Sequence, residues 1–486
     1  MASSQRNKIF INNINLGGIS GSKYQGRENS VAKSVGIDLH SKPGVIQANW
    51  ALKKDSGATV DALVKAIVVS TDGYSYFFSS TSGKVWRRTG AGTWSLIYTT
   101  VPTTGDAGCL GAMQYQDYIY WATENYIHRI AIGDTGDWTS NAVPNWQLLP
   151  VTDDTYHPMV IVDNILYIGD GYQIHQVSDG TYTANALDLI TTERVRCLAS
   201  FLGGSTYYLV AGTIVNDNVN KSTVYRWNTW SVSWSVGDDI EEIGVNAFIP
   251  TDNYLLASCG FNSNIYSYDG MVLSLINQVP GDYTNVNYTT INPNAVAYFQ
   301  GKPLFGISRG ASATGDPTEE GVYSYATSNA SLYPRILNLE YVISQDKTEN
   351  VEIGAIAQLG NLIFVSWKED TNYGVDILDM ANRYNGAYLE SRVIFADRSI
   401  PEVYSRISVG YVELPENTEI KIYTKENYAD SWTEQTTTTD TIRQIVYTDN
   451  KVDCFAYEVK IGLVCSGTGT PIVDDIQIKI SETQSW

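Results

Sequence analysis

One phrase recurs along this chain and restricts its fold more than any other feature. Its clearest form is Cys109–Ile130, CLGAMQYQDYIYWATENYIHRI. A strand of small residues leads into a tight turn, an alternating apolar strand follows, and a second short turn opens a third strand. The tight turn is Asp72-Gly73, then Gln116-Asp117, Asp163-Asn164, Gly203-Gly204, Asp252-Asn253, Gln300-Gly301 and Gly360-Asn361. Most of these residues tolerate the positive φ that hairpin turns demand. Each turn is followed by an apolar strand: YSYFF, YIYWA, ILYIGD, YYLVAG, YLLASCG, PLFGIS and LIFVSW. The third strand follows as Val85-Trp86, Ile127-His128, Ile174-His175, Val224-Tyr225, Ile265-Tyr266, Val322-Tyr323 and Val375-Asp376. The copies lie about 41 to 57 residues apart, the spacing of four-stranded propeller blades.

The strand before each turn is rich in small residues: Ala66, Gly111-Ala112, Ala199, Ala247, Ala295 with Ala297, and Gly354-Ala355. Small side chains suit the innermost strand of a blade, where neighbours converge. Expected fourth strands are Trp94–Tyr98, Trp146–Leu149, Trp234–Val236, Met271–Leu275, Leu332–Leu337 and Ala387–Phe395, with a weak one near Leu187. The expected fold is therefore all-β: a seven-bladed β-propeller over residues 59–395. After Arg398 the rhythm changes. Val403–Val412, Glu419–Thr424, Thr441–Tyr447, Phe455–Leu463 and Ile472–Ile480 alternate as strands of a smaller C-terminal β-sandwich over 396–486. Residues 1–58 form an N-terminal arm with short strands. Within it, Val45–Leu52 either closes the ring by completing the last blade or joins the C-terminal domain. The excursion Arg309–Glu320 in the sixth copy reads as a solvated insertion.

At 486 residues the chain exceeds what one core serves. Its formal charge of −20 offers no basic field for nucleic-acid phosphates. Tyrosine is abundant, 34 against 11 phenylalanines, which suits half-exposed β surfaces. Five cysteines, Cys109, Cys197, Cys259, Cys454 and Cys465, are an odd number without a CxxC, which argues against zinc and against a disulfide framework. No N-terminal apolar run suggests a signal peptide and no segment suggests a membrane span. Synthesis and folding in a reducing cytosol, with all thiols free, is the expectation.

Candidate chemistry is sparse. His128 and His175 hold equivalent third-strand positions, a slot filled elsewhere by Trp86, Tyr225, Tyr266 and Tyr323, so a structural role is the stronger reading than a metal or proton-relay pair. His157 and Asp170 would join them only through the fold. Acidic clusters at Asp153-Asp154, Asp238-Asp239 with Glu241-Glu242, Glu319-Glu320, Glu369-Asp370 and Asp474-Asp475 lack the spacing of a calcium loop. Thr89–Trp94, TGAGTW, is similar to the tail of a sialidase Asp-box but lacks its aspartate and does not recur. Gly18-Ile19-Ser20-Gly21-Ser22 departs from GxSxG at its last position. No catalytic, cofactor-binding or metal residue is assigned, and the chain is not expected to be an enzyme.

The run SVGIDLHSKPGVIQANWAL, the phrases YFFSSTSGKVW and CLGAMQYQDYIYWAT, and the stretch EIKIYTKENYADSWTE resemble virion proteins of tailed phages in which a propeller sits beside a β-sandwich. Resemblance to tail-nozzle or tail-tip proteins implies a homo-oligomeric ring, often a hexamer, around the DNA channel. It also implies contacts with other tail proteins, and a virion location after assembly in the host cytoplasm. The expected function is structural, in the tail through which DNA is ejected. The alternatives are a receptor- or glycan-binding virion adhesin and a propeller glycosidase.

Overall fold

The computed structural model describes the chain outside residues 1–8, 13–16, 27–28, 43, 99–107, 135, 137, 139–142, 152–155, 217–218, 252–253, 262–263, 280–288, 310–319, 328–334, 346–350, 396–401, 430, 440–442 and 482–486. The insertion expected at Arg309–Glu320 lies almost wholly outside the described residues, as does the turn Asp252-Asn253. Two compact units interleave along the chain. The larger comprises Lys53–Gly321 and Ile343–Ile377; the smaller comprises Met1–Leu52, Val322–Val342 and Leu378–Trp486.

In the larger unit, the first five copies of the phrase are each a four-stranded antiparallel meander in chain order. The first is Val64–Val69, Ser75–Ser79, Val85–Arg88 and Trp94–Tyr98, and the second is Gly111–Tyr115, Tyr118–Ala122, Tyr126–Ala131 and Val143–Leu148. The third, fourth and fifth span Met159–Asp188, Arg194–Ile240 and Val245–Gln278. The turns carry the backbone that their residues foretell: φ is positive at Gly73, Gln116, Asp163, Asn164, Gly204, Gln300, Gly301 and Gly360. The third copy's doubtful fourth strand is a full one, Thr181–Asp188.

First strands of successive copies lie side by side in order, and that of the seventh copy, Val351–Leu359, lies against that of the first. Neighbouring sheets pack face to face through their second strands, whose alternate side chains serve opposite neighbours. Phe78 packs with Trp121 of the second sheet, and Phe77 with Phe364 of the seventh, ring centroids 5.3 Å apart and nearly perpendicular. Tyr120 turns the other way, into the core shared with Leu166 and Ile168 of the third sheet. This cyclic stacking of four-stranded sheets is a β-propeller.

The seventh copy corrects an expectation. Ala387–Ser391 is not its fourth strand; that place is taken by Trp50–Lys54 from the N-terminal region. Asp55 N donates to Val375 O at 2.9 Å and Lys54 Nζ to Tyr373 O at 3.1 Å. The stretch Val45–Leu52 thus serves both of its expected uses, because upstream of that strand Ile46 bridges Val473 in the smaller unit. The sixth copy is divided: Val296–Phe299 and Lys302–Arg309 belong to the larger unit, while its third and fourth strands fall almost wholly in the smaller.

The smaller unit holds two sheets. One runs Ile9–Asn12, Val473–Ser481, Glu402–Tyr411, Gln444–Val452. The other runs Gly321–Ala326, Ile336–Tyr341, Val31–Val35, Ala387–Ser391, Ala456–Val464, Glu419–Glu426, Thr433–Thr438. Ala387–Ser391 is buried at all five positions and sits mid-sheet, which explains its apolar pattern. Ile407, Val409, Ile476 and Ile478 are buried from the first sheet and Ile420, Ile422, Ile461 and Leu463 from the second. Ser405 Oγ donates to Tyr457 OH at 3.0 Å between the two sheets.

Candidate functional site

The polar residues singled out in the sequence form clasps that tie neighbouring strands of a sheet together. His128 Nδ1 accepts Asn145 N–H at 3.1 Å, and His175 Nδ1 accepts Asn185 N–H at 3.0 Å. Both asparagines have positive φ, at bulges opposite the histidines. With Nδ1 accepting, the proton sits on Nε2. His128 Nε2–H then donates to Thr123 Oγ1 and His175 Nε2–H to Asp170 Oδ2, each at 3.1 Å. Burial pushes the His128 imidazole down to about 4. The fold does bring His157 to this place: its Nδ1 lies 2.9 Å from Gly169 O and 3.9 Å from Asp170 Oδ1. His157, Asp170 and His175 are all fully buried. A backbone-bonded, solvent-free set of this kind fixes structure.

Other copies use different residues in the same way. Just ahead of the fourth copy's first strand, Glu193 accepts Thr213 Oγ1–H at 2.7 Å and Thr223 Oγ1–H at 3.0 Å. In the fifth, Glu242 accepts Asn264 Nδ2–H at 2.6 Å and Tyr266 O–H at 3.1 Å. In the seventh, buried Asp376 accepts Trp367 Nε1–H at 2.7 Å, Ser344 N–H at 2.6 Å and Ser344 Oγ–H at 2.7 Å. Asp239 Oδ1 lies 3.0 Å from the same Thr223 hydroxyl and shares its proton with Glu193. Asp153-Asp154 and Glu319 lie outside the described residues. Among the described residues no group of three His, Cys, Asp or Glu is placed to hold a metal. TGAGTW is the hairpin between two strands of the first sheet, with Thr89 N bonded to Thr93 O. Ile19, inside the GISGS run, bridges Val31.

A different group converges at the inner ring of first strands. In the first, fourth, fifth and seventh copies the first strand carries a bulge near its start, and the extra residue is Lys65, Arg196, Asn246 and Gly354. A bulge re-aims a side chain and recurs beside functional sites. At Gly354 a Cβ would lie 2.2 Å from Val64 O, so only glycine fits. Lys65 and Arg196 instead reach one aromatic ring, Tyr156. Lys65 Nζ is 4.7 Å and Arg196 Cζ 5.7 Å from its centroid. The Tyr156 hydroxyl donates to Asn292 Oδ1. Asn292 Nδ2 donates to Ile353 O at 2.6 Å and lies 3.3 Å from Glu352 Oε1. Asn294 Nδ2 donates to Lys65 O at 2.8 Å, fixing the bulge. Sequence reading missed this group because bulge register is not a local pattern. A usable signal existed: aligned, the copies read Val-Lys-Ala, Val-Arg-Cys, Val-Asn-Ala and Ile-Gly-Ala, a variable residue between a β-branched and a small one.

No family model and no curated protein matches the chain. Solved structures similar to it include the WD40 β-propeller domain of Doa1 (12% identity, 68% of this chain and 97% of that one, TM-score 0.44). The Neurospora crassa Pan2 WD40 domain is another (9%, 71% and 99%, 0.42), and so is YCF48 bound to D1 peptide (9%, 70% and 98%, 0.44). At these scores the propeller assignment stands on this chain's own strand topology.

Proposed function

We propose that this chain is a structural protein of a tailed-phage particle, a nozzle or hub subunit that assembles as a homo-oligomeric ring, of hexameric type, around the DNA passage. The seven copies would be seven blades of one propeller, and the two sheets of the smaller unit a β-sandwich. The observation that carries the reading is the N-terminal run Ser34–Leu52, among the segments through which the chain resembles such virion proteins. It lies as short strands in the smaller unit and leads directly into the strand that completes the seventh sheet. The formal charge of −20 also supports it: a wall that DNA slides past must not gain phosphate contacts, each of which adds affinity by counterion release.

The reading makes the protein a component of the virion, assembled in the host cytoplasm beside other tail proteins. Native mass spectrometry of the purified chain together with its neighbouring tail proteins tests it. A closed ring of several copies is expected. A chain that stays monomeric in that mixture and maps to peripheral spikes on the particle overturns it in favour of an adhesin.

A further inference from the structure

We propose that the inner ring of the larger unit binds a small oxyanion, a carboxylate- or phosphate-bearing molecule, between Lys65 and Arg196. The inference stands on the larger unit alone and is independent of the tail assignment. Both basic side chains sit at the extra residue of a bulge, in two different sheets, and both approach the ring of Tyr156. Among the described residues neither forms an ion pair, and the Arg196 Nε is buried without a hydrogen-bond partner. The nearby carboxylate of Glu352 is engaged by Asn292 Nδ2 and pairs with neither base. Tyr156 itself is 8% exposed.

Two cations converging on one tyrosine repel each other, and the π face offsets only part of that cost. An anion between them would satisfy both. The guanidinium fork matches a carboxylate or phosphate edge, while the ammonium supplies a point charge. The backbone is pinned where this matters, through Asn294 to Lys65 O and through Asn292 to Ile353 O. On a chain with a formal charge of −20, two converging bases without an ion-pair partner among the described residues are a place where a small anion would concentrate.

The test is isothermal titration of the full-length protein with inorganic phosphate and, separately, citrate, at low and at physiological salt. Saturable binding is expected, weakening with salt and falling about tenfold or more in Arg196→Gln and in Lys65→Gln, which corresponds to about 1.4 kcal/mol or more. Arg196→Lys should restore part of the affinity, because it keeps the charge and loses the fork. Should a Gln variant fail to fold by circular dichroism, Arg196→Lys decides alone: affinity between that of the parent and none is expected, and affinity equal to the parent's overturns the proposal. If neither anion binds at millimolar concentration, or if Arg196→Gln folds and binds as the parent does, the basic pair is a structural plug and the proposal falls.

Discussion

Replacing Asp376 by alanine should cost the larger unit about 3–5 kcal/mol. The carboxylate is completely buried and accepts three hydrogen bonds, from Trp367 Nε1 and from the backbone and hydroxyl of Ser344. Alanine would strand the indole N–H and the Ser344 N–H in the interior, each at about 1–3 kcal/mol, and would leave a small cavity besides. Burial also holds the Asp376 carboxyl above its ordinary value. A folded-state pKa above the unfolded one means that the folded chain binds more protons in that window. The stability contributed is therefore fully present below the unfolded pKa and is lost as pH rises through the folded one. The parent should accordingly gain on the alanine variant as pH falls from 7 towards 4. Urea unfolding followed by tryptophan fluorescence reports both effects, since Trp367 is itself buried. A loss under about 1 kcal/mol, or a difference that shrinks on acidification, would refute the clasp as a stabilising device.

Three further outcomes are expected. Ser366→Ala should destabilise by about 2–4 kcal/mol, because its Oγ donates to Val64 O at 2.6 Å and accepts Ala355 N–H at 2.8 Å where the seventh sheet meets the first; urea denaturation measures it. His128 is held neutral by burial, so the unfolded chain takes up a proton between about pH 6.5 and 4 that the folded one refuses; stability should drop by about 3 kcal/mol across that window, and His128→Gln should flatten the slope. All five cysteines are buried and free, and burial pushes the Cys109 thiol up to about 12; a thiol reagent at pH 8 should label none quickly in the native protein and five in denaturant.

Much of the propeller is legible in the sequence because each sheet is a meander closed by local turns. Gln116, Asp163 and Gln300 adopt the positive φ that their turns need, and the strand after each turn alternates its side chains between two neighbouring sheets. The fourth strand of the seventh sheet was not legible. It comes from Trp50–Lys54, more than three hundred residues upstream of its partner, and no local signal spans that separation. Ala387–Ser391 is misleading for the same reason: its apolar run is real, but it is buried between Val31–Val35 and Ala456–Val464. The clasps were half legible. The slot held by His128 and His175 pointed to a shared structural role, whereas His157, Glu193 and Glu242 enter from the segments between sheets, where side-chain reach and not periodicity decides the partner. Lys65 and Arg196 read as ordinary polar residues on inner strands until the bulges re-aim them.

The most direct test of the structural role is a cryo-electron-microscopy map of the assembled oligomer with its charges placed on the inner surface. The account predicts a closed ring whose lumen is acidic and only slightly wider than duplex DNA, because repulsion acts within a Debye length of roughly 8–10 Å. A neutral or basic lumen, or no lumen at all, would contradict it.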